Sequence, residues 1–278
     1  MRIDAHQHYW KISRGDYGWI TTDIGTLYRD FLPGDLESDL TAHDISKTVV
    51  VQAAPTIAET EFLLALSENQ PSIAGVVGWL DLVDPDHEEQ FRRLSQHPKF
   101  VGFRVMIQDM EDPTEILEPD VVDAFQRYAQ MDVPVDLLVK ANQIPVLIKL
   151  LEAVPGLRGV IDHIAKPNIA LGDYEPWASQ MTELASYPSI YCKLSGMVTE
   201  ADHRHWKSAD FAQYVDHVIQ SFGATRVMYG SDWPVCLMAA SYDDVWRVAN
   251  ENLPATLTEA ERAAIFGNNA VSFYKLKA

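Results

Sequence analysis

Eight short segments rich in β-branched and aliphatic residues recur along the chain, each bounded by turn or helix signals, and this recurrence is the tightest constraint on the fold. They cover residues 3–9, 48–54, 73–82, 100–107, 133–139, 159–165, 190–196 and 226–232. Stretches with helical spacing of apolar residues lie between them, among them 61–66, 121–128, 144–151, 211–219 and 260–266. Strictly alternating strands and helices within 278 residues predict one (β/α)8 TIM barrel domain spanning 1–278. A doubly wound open sheet is the competing architecture, but no glycine-rich phosphate loop follows the first segment, where such folds usually carry one. From about residue 10 to 46, Tyr17, Trp19, Tyr28, Phe31 and Pro33 are mixed with polar residues, which predicts an extended loop over the barrel mouth.

Composition narrows the partners. Hydrophobic residues make up 47% of the chain, enough for a substantial core, and the formal net charge of −18 argues against nucleic acid or an anionic membrane surface. Only Cys192 and Cys236 are present, no basic leader precedes an apolar run, and no run approaches a bilayer's thickness. A cytoplasmic enzyme acting on a small molecule is the expectation, with homo-oligomer formation left open.

In such a barrel, function gathers at the C-terminal ends of the strands. If the first segment is a regular strand, Asp4, His6 and His8 share one face and Ile3, Ala5 and Gln7 the other. Two imidazoles on one wall can offer nitrogens to one metal ion or donors to one oxyanion. The second segment contributes Gln52 and the fourth Arg104, which shares a face with Gly102 and Met106 opposite the apolar Val101, Phe103 and Val105. The sixth ends in Asp162 and His163 with Lys166 beyond; on the seventh, Tyr191, Lys193 and Ser195 face inward. The eighth brings Asp232 and Trp233, with Gly230 leaving space beside Asp232. Singly, Arg104 or Lys193 reads as an ion-pair partner, His163 as a core histidine and Asp232 as a helix cap. Five such groups around one rim are costly to desolvate without a purpose.

Together these runs resemble the amidohydrolase superfamily, in its lactonase-like branch, amidohydrolase family 2. The resemblance rests on His6 to Trp10, Tyr28 to Pro33, Gly102 to Arg104, Asp162 to Pro167, Lys193 to Gly196, Tyr229 to Pro234 and Gly267 to Ala270. It implies hydrolysis of a sugar lactone such as L-fuconolactone or L-rhamnonolactone, and His6, His8, His163 and Asp232 as the set that would hold a metal. The fuller superfamily pattern has a bridging ligand on strand four and a histidine on strand five. Here Arg104 takes the first place, and Asp136 or Lys140 stands near the second. The departure implies at most one divalent ion, zinc being the one expected, or no metal requirement.

Lactone hydrolysis needs a base for water, a stabilised oxyanion and a proton for the leaving alkoxide. Asp232 is the expected general base. His6, His8 and His163, bare or through zinc, would polarise the carbonyl, and Arg104 would hold negative charge. Trp19 and Trp233, with Tyr9, Trp10 and Tyr17, suit the C–H face of a sugar ring, and Gln52, Lys193 and Ser195 its hydroxyls. Alternatives are an anionic ring lactone of muconolactone or pyrone dicarboxylate type, a metal-dependent decarboxylation, and a barrel that binds without catalysis.

Overall fold

The computed structural model describes residues 1–277. Its strands are β1 (Arg2–Gln7), β2 (Ile45–Val51), β3 (Ile73–Trp79), β4 (Phe100–Met106), β5 (Val135–Leu138), β6 (Gly159–Ile161), β7 (Ile190–Leu194) and β8 (Val227–Tyr229). All neighbouring pairs are parallel and run in chain order from β1 to β8. Parallel neighbours require a crossover, and helices supply it. They are α1 (Pro33–Ala42), α2 (Ile57–Glu68), α3 (His87–Leu94), α4 (Pro119–Gln130), α5 (Ile144–Ala153), α6 (Trp177–Ala185), α7 (Ala212–Phe222) and α8 (Tyr242–Asn252). Two short helices follow, α9 (Glu259–Ala263) and α10 (Asn269–Tyr274). The ring closes beyond the regular ladder of β8: Asp232 donates its N–H to the His6 carbonyl (2.8 Å) and His8 donates to that of Trp233 (2.7 Å). The architecture is a nearly closed (β/α)8 barrel. Among the described residues no helix is long and apolar enough to cross a membrane.

Two apolar layers set the site's height in the barrel. One lies between sheet and helices and includes Val50, Val76, Phe103 and Leu137 with Leu63, Phe125 and Leu147. The other fills the lower barrel, where Ile3, Ala5, Val49, Val51, Val77, Val160 and Met228 pack against Ala270, Phe273 and Tyr274 of α10. With that end plugged, inward polar groups can only meet at the opposite mouth.

Three expectations need correction. Asp4 does not share a face with His6. The pairing of β1 with β2 is irregular between Asp4 and Gln7, so Ala5 packs with Ile3 in the lower barrel while Asp4 accepts from the Tyr242 hydroxyl of α8 (3.0 Å). One extra residue in a strand reverses the alternation downstream. The stretch 10–46 is not loop throughout, since α1 occupies its last third, burying Leu36 and Leu40. Its start signals are local: Pro33 in the first turn, and an Asp35 carboxylate accepting from the Leu32 N–H (2.9 Å). Finally, the space Gly230 leaves belongs to His6, because a Cβ there would lie 2.6 Å from the His6 Cβ.

Candidate active site

The end of β1 with the residue just beyond it, and the turns after β6 and β8, carry the central groups. His163 (φ 54°) and Asp232 (φ 58°) both lie in the left-handed region that side-chain-bearing residues rarely adopt. Each such residue costs on the order of 1–3 kcal/mol, and this kind of strain collects where geometry serves function. Gly196 makes room for the first of them: a Cβ at that position would come within 2.4 Å of His163 Nδ1.

Four predicted residues converge. His6 Nε2 and His8 Nε2 are 3.2 Å apart. Asp232 Oδ1 lies 3.3 Å from His8 Nε2 and 3.8 Å from both His6 Nε2 and His163 Nε2. All four side chains are buried. Above them is a cavity of about 270 Å³ whose wall includes His8, Trp19, Arg104, His163, Lys166 and Asp232.

The hydrogen bonds constrain the protons. His8 Nδ1 lies 2.8 Å from the Val51 carbonyl, which can only accept, so Nδ1 carries a proton, and in the neutral ring Nε2 presents a lone pair. That lone pair faces a carboxylate oxygen, a juxtaposition that calls for a shared proton or cation. His6 Nδ1 has two neighbours of opposite demand, the Lys193 ammonium at 3.1 Å and Asp162 Oδ1 at 3.3 Å. Facing lysine, the ring turns an N–H toward His8 and Asp232; facing aspartate, it turns a lone pair. Ser195 Oγ, 2.9 Å from His163 Nδ1, orients the third ring.

Burial sets the charge states. It holds His6 and His163 well below the ordinary imidazole range, reinforced at His6 by Lys193, so both are neutral at neutral pH. Burial alone would raise Asp232, but His163, His8 and Lys166 outweigh it and hold the carboxyl below its usual range. Asp162 is likewise kept ionised against burial by Lys193, His6 and Arg104.

Other predicted residues sit under the mouth. Lys193 is fully buried, paired with Asp136 and with Asp162 (3.0 Å). Burial pushes Asp136 up to about 6 against the pull of Lys193, and the Tyr274 hydroxyl donates to its other oxygen (2.7 Å). Arg104 binds the Gln52 carbonyl and approaches Asp162 (3.5 Å). Gln52, Lys193, Ser195 and Trp233 are not among the cavity-lining residues, whereas Trp19 is. Trp233 packs edge-on against Phe31 and Tyr9. Sequence reasoning passed over Asp162 and Asp136 as partners of Lys193 and His6. It also passed over Glu59, whose carboxylate accepts from the Ala53 N–H (2.9 Å) in the turn after β2.

The donor set suits a cation. His6, His8 and Asp232 each offer a ligand atom within 4.8 Å of the others, as do His6, Asp162 and His163. The Lys193 ammonium already serves two members of the second group.

Comparison with known proteins places these features. The amidohydrolase family model matches residues 3–276. An L-fucono-1,5-lactonase of Burkholderia ambifaria is 40% identical over 99% of this chain and 96% of its own length, and one of Burkholderia multivorans 37% over the same shares. The crystal structure of an amidohydrolase from Burkholderia multivorans with bound zinc superposes with a TM-score of 0.92 at 36% identity, covering all of both chains.

Proposed function

The chain belongs to the amidohydrolase family, and from that premise we propose that it is a lactonase opening uncharged sugar lactones, L-fucono-1,5-lactone or a close stereoisomer, with Asp232 as general base. One observation carries the reading: an ionised carboxylate ringed by three imidazole Nε2 atoms at 3.3–3.8 Å, on the floor of a cavity sized for a single ring. Asp232 takes a proton from water as the oxygen attacks the carbonyl carbon. It then returns that proton to the ring oxygen as the acyl C–O bond breaks.

A carboxylate held below its usual range is available at neutral pH but is a weak base. An ester carbonyl is electrophilic enough to tolerate that, whereas an amide would ask for more. His163 and His6, kept neutral by burial, orient and donate toward the developing oxyanion, and Arg104 adds positive charge at the wall. A divalent ion, where bound, would be held by His6, His8 and Asp232 beside His163 and would polarise the same carbonyl. Ser195 and Lys193 serve as positioning residues for the imidazoles, and Gln52 for Arg104.

The charge arrangement favours an uncharged substrate. Both cations at the wall stand near a carboxylate, Arg104 by Asp162 (3.5 Å) and Lys166 by Glu200 (3.8 Å), which reduces the positive charge on offer to a dicarboxylate. The relatives' names point the same way. Hydrolysis of a panel of aldonolactones, followed by acid release with and without chelator, tests the reading. L-Fucono-1,5-lactone or an epimer is expected to be the best substrate. Turnover of pyrone dicarboxylate with none of the aldonolactones would overturn it.

A further inference from the structure

A second cavity adjoins the first. It measures about 580 Å³, roughly twice the volume above Asp232, and the two share Trp19, Met106 and Asp109. Its wall is largely apolar, with Trp79 ending β3 and Leu82 after it, Val105 from β4, and Met110, Ile116 and Val121 beyond. Trp19, which lines both cavities, is held in place by its indole N–H, which donates to the Ala53 carbonyl (2.8 Å), so one edge of their junction is fixed.

The charged groups at this cavity are all carboxylates, Asp16, Asp81, Asp109 and Glu115. The nearby Arg14 is engaged with Asp16 (2.6 Å). An anion would therefore be repelled, and a sugar's hydroxyls could bond only at those carboxylates and not along the apolar wall formed by Trp79, Leu82, Val105, Met110, Ile116 and Val121. An uncharged hydrocarbon group loses nothing by entering it.

We propose that this cavity takes the alkyl substituent of a second class of substrate, uncharged δ-lactones carrying an unbranched chain on the carbon next to the ring oxygen. The inference rests on the lactonase reading for its chemistry. The ring sits above Asp232 and the chain passes Met106 into the apolar cavity. Reaction consumes one water: its oxygen bonds to the carbonyl carbon, the ring acyl C–O bond breaks, and its proton ends on the released hydroxyl. No electron transfer is involved.

The test compares δ-hexalactone, δ-octalactone and δ-decalactone, whose chains are methyl, propyl and pentyl, with L-fucono-1,5-lactone on the full chain. Burial of each added methylene should raise kcat/KM about three- to fourfold until the cavity is filled. Met110→Glu, a half-buried position in the apolar cavity alone, should flatten that rise and leave L-fucono-1,5-lactone hydrolysis unchanged. A kcat/KM that is flat or falls with chain length, or a full chain-length gain in Met110→Glu, would overturn the inference while sugar-lactone turnover stands. Hydrolysis of the alkyl series without any aldonolactone would instead overturn the sugar-lactone reading. Absence of both activities would overturn both.

Discussion

Glu59 offers a quantitative test of how the mouth is held. It lies in α2, fully buried, with one oxygen accepting from the Ala53 N–H and the other without a partner. The Ala53 carbonyl in turn anchors Trp19, so this carboxyl braces a wall of the cavity. Burial, opposed by the Ala53 N–H and Arg104, pushes its pKa from 4.5 up to about 8. A raised carboxyl pKa contributes stability that is fully present below the unfolded-state value and is lost as pH rises through the folded value. Between these limits the native state holds a proton that the unfolded state has released, so the unfolding free energy falls by about 1.4 kcal/mol per pH unit. The total over the window is about 5 kcal/mol. Glu59→Gln keeps the acceptor for Ala53 and removes the titration. Urea denaturation followed by circular dichroism at pH 5, 7 and 9 should find the variant near wild-type stability at pH 5. It should be more stable by about 3 kcal/mol at pH 7 and about 5 kcal/mol at pH 9. A variant-minus-wild-type difference that stays constant from pH 5 to 9 would refute the account of Glu59 as a buried, protonated acid.

Asp232→Asn should lower kcat for lactone hydrolysis by roughly 10²–10⁴-fold, because the near-isosteric amide cannot take a proton from water; near-normal turnover in a steady-state assay would move the base elsewhere. Lys193→Met leaves Asp136 and Asp162 buried without their ammonium, and should cost about 3–5 kcal/mol in chemical denaturation at pH 7. Equilibrium dialysis against zinc should load at most one ion per chain, with part of the hydrolytic activity surviving chelation. Two tightly held ions per chain would contradict the view that Lys193 serves where a second cation would sit.

Much of the architecture was legible along the chain because the signals are local. A buried parallel strand is a short β-branched run, a crossover helix shows apolar spacing near 3.6, and eight such units in order leave a barrel as the natural closure. His6, His8, His163 and Asp232 could be nominated because strand ends in this architecture share one mouth, and the structure does bring all three imidazole Nε2 atoms within 4 Å of Asp232 Oδ1. The helix α1 was also written locally, in Pro33 and Asp35, but the aromatic residues before it drew the reading toward loop. What the chain order cannot contain is which partner a buried group meets. Asp4 turned outward because a strand irregularity exists only relative to β2. Lys193 became the counter-ion of carboxylates on β5 and just after β6, and His6 came to stand between an ammonium and a carboxylate that decide where its proton sits. Secondary structure follows from neighbours a few residues away. The charge and tautomer of a buried side chain follow from groups that only the closed barrel brings within hydrogen-bonding distance, in surroundings where water no longer screens them.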